Sequence, residues 1–398
     1  MRAAGIRQRC SRIRNRLSGS QTARRDITIP DVSVWVSRRA FRECETIGRG
    51  QRQDLRFRST RAFVSTGDQP GGRTLSTHAI SSLYEPIADD LQKVCRIFND
   101  ELFSDSPCLN ELCAHIRQYR GKMLRPALLL LSGRAAGKLT DQHLTLAAVV
   151  ELVHMATLVH DDVLDDADVR RRCVTVHRRE GNETAILLGD FLISHAFHLC
   201  SSLDSQFASR AIGLTTNTVC EGEIQQVHQR GNFDLSQDQY LQIITCKTAV
   251  LTGVCCKLGA YCADADPVIV DALEQYGLNV GIAFQITDDV LDIIGAEERM
   301  GKTLGRDLEK RKLTLPVIHC LTQATDGSRQ KLRELLAAGN PDRTVLCDLL
   351  ADTESIQFAS QAARQYVESA IRQLDVLQPS DARDSLQSMA SLIINRDQ

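Results

Sequence analysis

Two acidic pentads, Asp161-Asp162-Val163-Leu164-Asp165 and Asp288-Asp289-Val290-Leu291-Asp292, repeat one pattern 127 positions apart, each inside apolar, helix-like sequence. On a helix, carboxylates at i, i+1 and i+4 leave the first and last a turn apart on one face. Burying such a cluster beside a groove is costly through desolvation and repulsion, and divalent cations between two facing clusters lower that cost. Mg²⁺ takes one or two carboxylates and completes its shell with water and substrate phosphate oxygens. A lone Asp run is usually a solvated helix end. The duplication is what argues for a diphosphate held on a metal cluster.

Basic and amide residues extend the pattern. His154 lies seven residues before Asp161, two turns back on the same face, and Arg170-Arg171-Arg172 follow the first pentad. Together they set guanidiniums, suited to bidentate phosphate contact, beside metal-binding oxygens. In Gly121-Lys122-Met123-Leu124-Arg125-Pro126, Lys122 and Arg125 stand three apart at a helix start. Backbone N–H groups point outward there and Pro126 sacrifices little, so this is a candidate second diphosphate site. Lys247-Thr248 interrupts an apolar helix, where a lysine either snorkels to solvent or reaches a phosphate. Gln285, one turn before Asp288, is either a polar core residue or an amide facing the site. The glycine loop Gly301-Lys302-Thr303-Leu304-Gly305-Arg306-Asp307, with Lys312 after it, could close over a substrate and exclude water.

One anion site with metals and one with cationic side chains alone imply two diphosphate substrates bound together. No Ser/His/Asp or Cys/His nucleophile set is present in the sequence. Metals would stabilise a departing diphosphate as Lewis acids. Ionisation leaves a carbocation that needs a dry, apolar cavity. A carbon nucleophile on the second substrate then attacks, and a proton is lost to the released diphosphate.

Positioning such a site requires long helices, and the sequence supplies them. Apolar residues recur at helical spacing over Ser81–Asn99, Cys108–Tyr119, Pro126–Ala136, Asp141–Asp165, Glu183–Leu203, Ser209–Gln229, Asp238–Ala263 and Pro267–Gly295, and again from Leu315 onward. Segments 166–172 and 301–312 read as loops. With no strand alternation and no Asn-Gly hairpin signal, the expected class is all-α: a single large helical domain around a central cavity, spanning 76–398. Residues 1–75 stand apart, with 17 Arg, no Lys and 6 acidic residues, a net +11 against −13 for the remainder. The acidic body argues against nucleic acid as a partner. The Arg-rich segment reads either as an organellar presequence, placing the protein in the mitochondrial matrix, or as an early start in a bacterial gene, placing it in the cytoplasm. The 14 cysteines form no CxxC pair and read as small buried hydrophobes in a reducing compartment. No apolar run is expected to reach the roughly 18 residues of a membrane span, although the protein could rest against a bilayer.

Leu158-Val159-His160-Asp161-Asp162-Val163-Leu164-Asp165, the Gly121–Pro126 motif and Phe284-Gln285-Ile286-Thr287-Asp288-Asp289-Val290-Leu291-Asp292 together resemble the trans-isoprenyl diphosphate synthases, of the long-chain octaprenyl or decaprenyl type. The resemblance covers roughly Ser81 to the C-terminus. It implies that Asp161, Asp162 and Asp165 bind Mg²⁺ with the allylic diphosphate, and that Asp288, Asp289 and Asp292 bind the remaining metal, three ions in all. Lys122, Arg125, His154 and Arg171 would hold isopentenyl diphosphate. Arg170, Lys247, Thr248, Gln285 and Lys302 would contact the allylic substrate, with Lys312 assisting; Asp161, Asp165, Lys247 and Asp288 would carry the catalysis. Members of the family are all-helical and usually homodimeric, and some pair with a catalytically poor subunit. They commonly have Gly at the positions of Arg172 and Arg311, Pro at Val174 and a second basic residue at Met123.

Product length follows from a tunnel running down the helix that bears the first pentad. Ala156 and Thr157, five and four residues before Asp161, are small and would leave it open, so a product of roughly C30 to C50, of the quinone side-chain kind, is expected. Phe191 and Phe197 are candidates for a deeper floor. A short-chain synthase, a class I terpene cyclase and a non-catalytic subunit of a heteromeric synthase are the alternatives. Retention of all six aspartates weighs against the last, and the Lys122/Arg125 site against the cyclase.

Overall fold

The computed structural model describes residues 82–119, 121–295, 306–338 and 342–394. The Arg-rich segment and Lys302 lie outside the described residues. After a 3₁₀ turn at Glu85–Ile87 come α1 (Ala88–Glu101), α2 (Pro107–Ile116), α3 (Leu124–Ala136) and α4 (Asp141–Leu164). A short hairpin, β1 (Val169–Arg170) and β2 (Cys173–Val174), leads into α5 (Val176–Glu180), α6 (Asn182–Ser201) and α7 (Gln206–His228). Then α8 (Gln237–Ile244) and α9 (Val250–Cys262) flank a π-helical turn at Thr245–Ala249, and α10 runs Pro267–Ile294. The rest is α11 (Arg306–Glu309), α12 (Leu315–Gln323), α13 (Asp326–Ala337), α14 (Arg343–Asp352), α15 (Ser355–Gln373) and α16 (Asp381–Ile394). The all-α expectation holds.

The helices that carry the pentads are fixed at both ends by local chemistry. Thr140 caps α4: its backbone N–H donates to His143 Nδ1 at 3.0 Å, which leaves His143 Nε2 to donate to the Gly259 carbonyl at 2.9 Å and tie α4 to α9. Asp266 caps α10, accepting from Val268 N at 2.9 Å, with Pro267 at the first helical position. At the far end, the Arg343 guanidinium donates to the carbonyls of Ile293 (2.6 Å) and Gly295 (3.0 Å), satisfying acceptors the helix leaves open. α10 packs along α9 and α15, and α4 along α6, so both pentad helices are central. One apolar cluster runs from Ile87 to Ile393.

Three expectations need correction. The charged loop after the first pentad contains an antiparallel hairpin, pairing Val169 with Val174 and Arg170 with Cys173. Its turn residues, Arg171 and Arg172, both lie in the left-handed region (φ 49° and 70°). Two-residue hairpins favour positive φ at both positions, usually supplied by Asn-Gly, and Arg-Arg carries no such signal. The expected unbroken helix over 238–263 is interrupted by the π turn. Finally, the segments Asp141–Leu164, Asn182–Ser201 and Gln237–Cys262 are, by length and composition alone, apolar enough to cross a membrane. The cause is averaging: a few polar residues break each run without lowering its mean, and a helix packed on all sides is composed much like a membrane helix. In the second of these, α6, only 33% of the apolar window is buried inside the chain, against 67% and 89% for the others.

Candidate active site

The first pentad ends α4. His160, just before it, fixes that end against α6, its Nε2 3.1 Å from the Ile186 carbonyl. Helical spacing then divides the trio. Asp165 lines a cavity whose wall also carries Asp288 and Asp289 of the second pentad, together with Lys247, Gln285, Asp307 and Lys312. Asp161 is half-buried and close enough that its charge raises the pKa of Lys247 and Glu223. Asp162 turns the other way. It is 1% exposed and accepts from Arg170 Nε at 2.6 Å. Burial pushes its carboxyl up to about 6 even with that guanidinium beside it. The structure therefore brings Asp162 and Arg170 to each other rather than to the cavity. Asp292 is likewise buried, accepting from the Asp307 backbone N–H at 3.4 Å.

The surviving cavity carboxylates live in different fields. On Asp165, burial alone would raise the pKa, but Lys312 and Lys310 outweigh it and hold the group well below the usual carboxylate range. Asp289 accepts from Tyr240 Oη at 2.7 Å and Gln285 Nε2 at 2.8 Å. Burial and the charge of Asp307 nevertheless push it up to about 8. Thr248 Oγ1 donates to Gln285 Oε1 at 2.9 Å, so Thr248, Gln285, Asp289 and Tyr240 form one chain of hydrogen bonds.

Lys247 and Thr248 owe their direction to the π turn, whose extra residue rotates them relative to a continuous helix. The turn nests against Gly222 of α7, where a Cβ would come within 2.6 Å of the Lys247 backbone nitrogen. Lys247 is paired with Glu223 and donates to Gln226 Oε1 at 2.9 Å. Burial opposes its charge, yet Asp161 and Glu223 keep it protonated.

The basic group forms a separate lobe. Met123 enters α3 with a left-handed φ of 51° and Arg125 sits in the first turn. The Arg171 guanidinium lies against Gly121, where any Cβ would collide with it, and donates to the Tyr119 carbonyl. Arg125 Nε is buried and has no hydrogen-bond partner. Burial lowers the pKa of Arg125, with buried Glu151 opposing. Burial, Arg125, Arg171 and Arg170 hold the His154 imidazole well below its ordinary value, so it is neutral. Arg125, His154 and Arg171 are thus mutually close, and Lys122 is exposed at their edge. A guanidinium with an orphaned N–H among other cations is built for an anion.

Ala156 is fully buried in the core, and Thr157 donates its hydroxyl to the His154 carbonyl at 2.8 Å; neither lines the cavity. Phe191 packs on the His195 ring (4.2 Å between centroids), whereas Phe197 is 37% exposed and cannot floor a tunnel within this chain. Sequence reasoning missed Tyr240, Glu223, Gln226 and Lys310, and had Asp307 only as the last residue of the glycine loop. Only Glu223 and Gln226 left a trace, as polar residues three apart on one helix face.

Among the described residues no three His, Cys, Asp or Glu side chains form a ready-made metal cage. Hard carboxylate oxygens offered singly or in pairs across a cavity suit a cation that takes most of its shell from water and substrate. The raised Asp289 carboxyl, among other acids, marks where added positive charge would be stabilising. The donor set fits magnesium.

Known proteins share this chain's sequence and fold. Residues 106–352 match the Polyprenyl synthetase family. Heptaprenyl diphosphate synthase component 2 of Geobacillus stearothermophilus is 34% identical over 80% of this chain and 99% of its own. Octaprenyl diphosphate synthase of Escherichia coli is 32% identical over the same shares. The crystal structure of a polyprenyl synthase from Caulobacter crescentus, complexed with calcium and isoprenyl diphosphate, superposes with a TM-score of 0.76 at 32% identity, covering 80% of this chain and 98% of that one. A decaprenyl diphosphate synthase from Rhodobacter capsulatus gives 0.76 at 31%, over 80% and 99%. With these motifs, this fold and these relatives, the chain belongs to the polyprenyl synthetase family and is a prenyl-transferring enzyme.

Proposed function

We propose that this enzyme condenses an allylic diphosphate with successive isopentenyl diphosphates to a long-chain all-trans polyprenyl diphosphate, of the kind that becomes a quinone side chain. The observation that supports this best is the pairing of an acidic cavity, lined from two helices, with a separate anion lobe of Arg125, His154 and Arg171. Mg²⁺ bound in the cavity supplies Lewis-acid stabilisation of the leaving diphosphate. Asp161 and Asp165 on one wall and Asp288 and Asp289 on the other would hold it, with Asp162 and Asp292 supporting from behind. Lys247 and Lys312 orient the allylic diphosphate, and Thr248 and Gln285 brace the second wall; Lys302 would join from the glycine loop. Lys122, Arg125, Arg171 and neutral His154 hold the second diphosphate. Neutral His154 donates a hydrogen bond without adding a fourth positive charge. Both substrates are thereby brought into reacting position before any bond breaks.

Long products are supported by relatives named for heptaprenyl, octaprenyl and decaprenyl products. Ile186, Leu187 and Phe197 of α6 and Leu214, Ile224 and Val227 of α7 leave an apolar face exposed on adjacent helices. Such a face suits a second copy of the chain. The test is direct. Purified chain, Mg²⁺, farnesyl diphosphate and labelled isopentenyl diphosphate are incubated, and the dephosphorylated products are sized. Products of C30 or longer from the chain alone support the reading; products stopping at C20 refute the chain length, and no product without an added subunit refutes homomeric activity.

A further inference from the structure

Three cationic side chains reach one oxygen of Asp165. Lys310 Nζ is 2.9 Å from Oδ1, Lys312 Nζ 3.0 Å and an Arg230 guanidinium nitrogen 3.7 Å. Lys310 also donates to the Asp165 backbone carbonyl, so it holds both the side chain and the C-terminal end of α4, where the helix dipole favours a cation. Lys312 has other business: it is 9% exposed, lines the cavity and lies 3.9 Å from Asp307. Lys310 does not line the cavity. It projects from the turn after α11, beside Arg311 in a left-handed conformation (φ 56°).

Two ammonium donors on Oδ1 leave that oxygen no lone pair for a metal at about 2.1 Å, and a metal held through Oδ2 would still lie within a few ångströms of both ammonium charges. Loading the site is therefore opposed by these lysines, and is eased when one of them withdraws. Of the two lysines in direct contact, Lys310 is the more exposed and has the lesser tie to the cavity. We propose that Lys310 is a positioning residue that sets the divalent-metal affinity of the first aspartate cluster, holding Asp165 while no metal is bound and yielding it on loading. This rests on the reading of Asp165 as a metal-binding carboxylate. The consequence is functional: competition from Lys310 keeps metal off the bare cluster, so loading is favoured when a diphosphate contributes its own oxygens.

The experiment measures free Mn²⁺ by electron paramagnetic resonance during titration of the full chain without substrate, for wild type, Lys310→Gln, Lys310→Arg and Asp165→Asn. Lys310→Gln should bind Mn²⁺ about five- to tenfold more tightly, Lys310→Arg should stay near wild type, and Asp165→Asn should bind more weakly. In the wild type, saturating Mn²⁺ should also raise the acylation rate of Lys310, followed by mass spectrometry, which keeps the test open should a variant fail to fold. Unchanged or weaker binding by Lys310→Gln, Lys310→Arg tightening as much as Lys310→Gln, or Lys310 acylation indifferent to Mn²⁺, overturns the proposal while leaving the metal reading intact. Asp165→Asn binding Mn²⁺ as wild type does overturns both.

Discussion

Asp165, closing the first pentad, meets Lys310, Lys312 and Arg230, whereas Asp289, inside the second, meets Tyr240, Gln285 and the charge of Asp307. The two stretches share the pattern Asp-Asp-Val-Leu-Asp, one at the end of its helix and the other wholly within one, yet one carboxyl is held well below its ordinary range and the other is pushed up to about 8. The difference lies in what packs around them. The end of α4 lies open to basic side chains from the turn after α7 and from the α11–α12 segment. α10 is buried on both flanks, and its Asp289 meets two neutral donors and the charge of another acid. Cations hold Asp165 in its charged form, whereas Asp289 is surrounded by neutral donors and the charge of another acid.

If both walls serve one leaving group, the largest effects should be symmetric. Asp161→Ala and Asp288→Ala should each lower turnover on the order of 10²–10³-fold, measured as labelled isopentenyl diphosphate incorporated at saturating Mg²⁺. A loss confined to one of the two would break the pairing of walls. A smaller effect is expected at the residues that aim Lys247. Lys247→Ala should cost about 10²-fold in kcat/KM and Glu223→Gln about tenfold, the latter mainly in kcat because the ammonium remains but is no longer held. Steady-state kinetics in the allylic substrate separate these, and an unaltered kcat in Glu223→Gln would remove that residue from the argument.

The walls should also differ in how pH acts on the metal-free protein. A carboxyl whose folded pKa is raised binds its proton more tightly when folded. Asp289 therefore stabilises the fold below about pH 4, and that contribution declines as pH rises from its unfolded value towards about 8. Asp165 acts in the opposite sense: its contribution is present above about pH 4 and fades as pH falls below it. Thermal melts in chelator should show stability falling between pH 5 and 8 in the wild type and a flatter profile in Asp289→Asn. Identical slopes would mean that the Asp289 carboxyl is not raised by its surroundings.

The smallest expected effect concerns the hairpin that carries Arg170 and Arg171. Arg172→Gly relieves a left-handed φ of 70° and should stabilise the protein by about 1 kcal/mol, read as a rise in the melting midpoint. No rise would show that the hairpin bears no strain there.

Much of this molecule was legible in the chain. Helical periodicity placed α4 and α10 nearly to the residue, because both are long and strongly patterned. The pentads and basic motifs singled out residues that the fold gathers into an acidic cavity and a basic lobe, since charged residues in apolar helices are rare without a reason. What stayed hidden is instructive. The Arg171–Arg172 turn carries no turn chemistry, and the π turn at Thr245–Ala249 leaves hydrophobic spacing almost unchanged. Tyr240 and Lys310 act on aspartates 49 and 145 positions away, a separation no local pattern records.

By itself, the order of residues determined which side chains share a helix face, because 3.6 residues per turn is a property of the backbone alone. It therefore decided that Asp161 and Asp165 point together and that Asp162 does not. Only tertiary packing decided what each face meets: cations around Asp165, a tyrosine and an amide on Asp289, a guanidinium behind Asp162. Desolvation and the neighbours brought by distant segments set the charge each group carries, and both arise only once the helices have closed around the cavity.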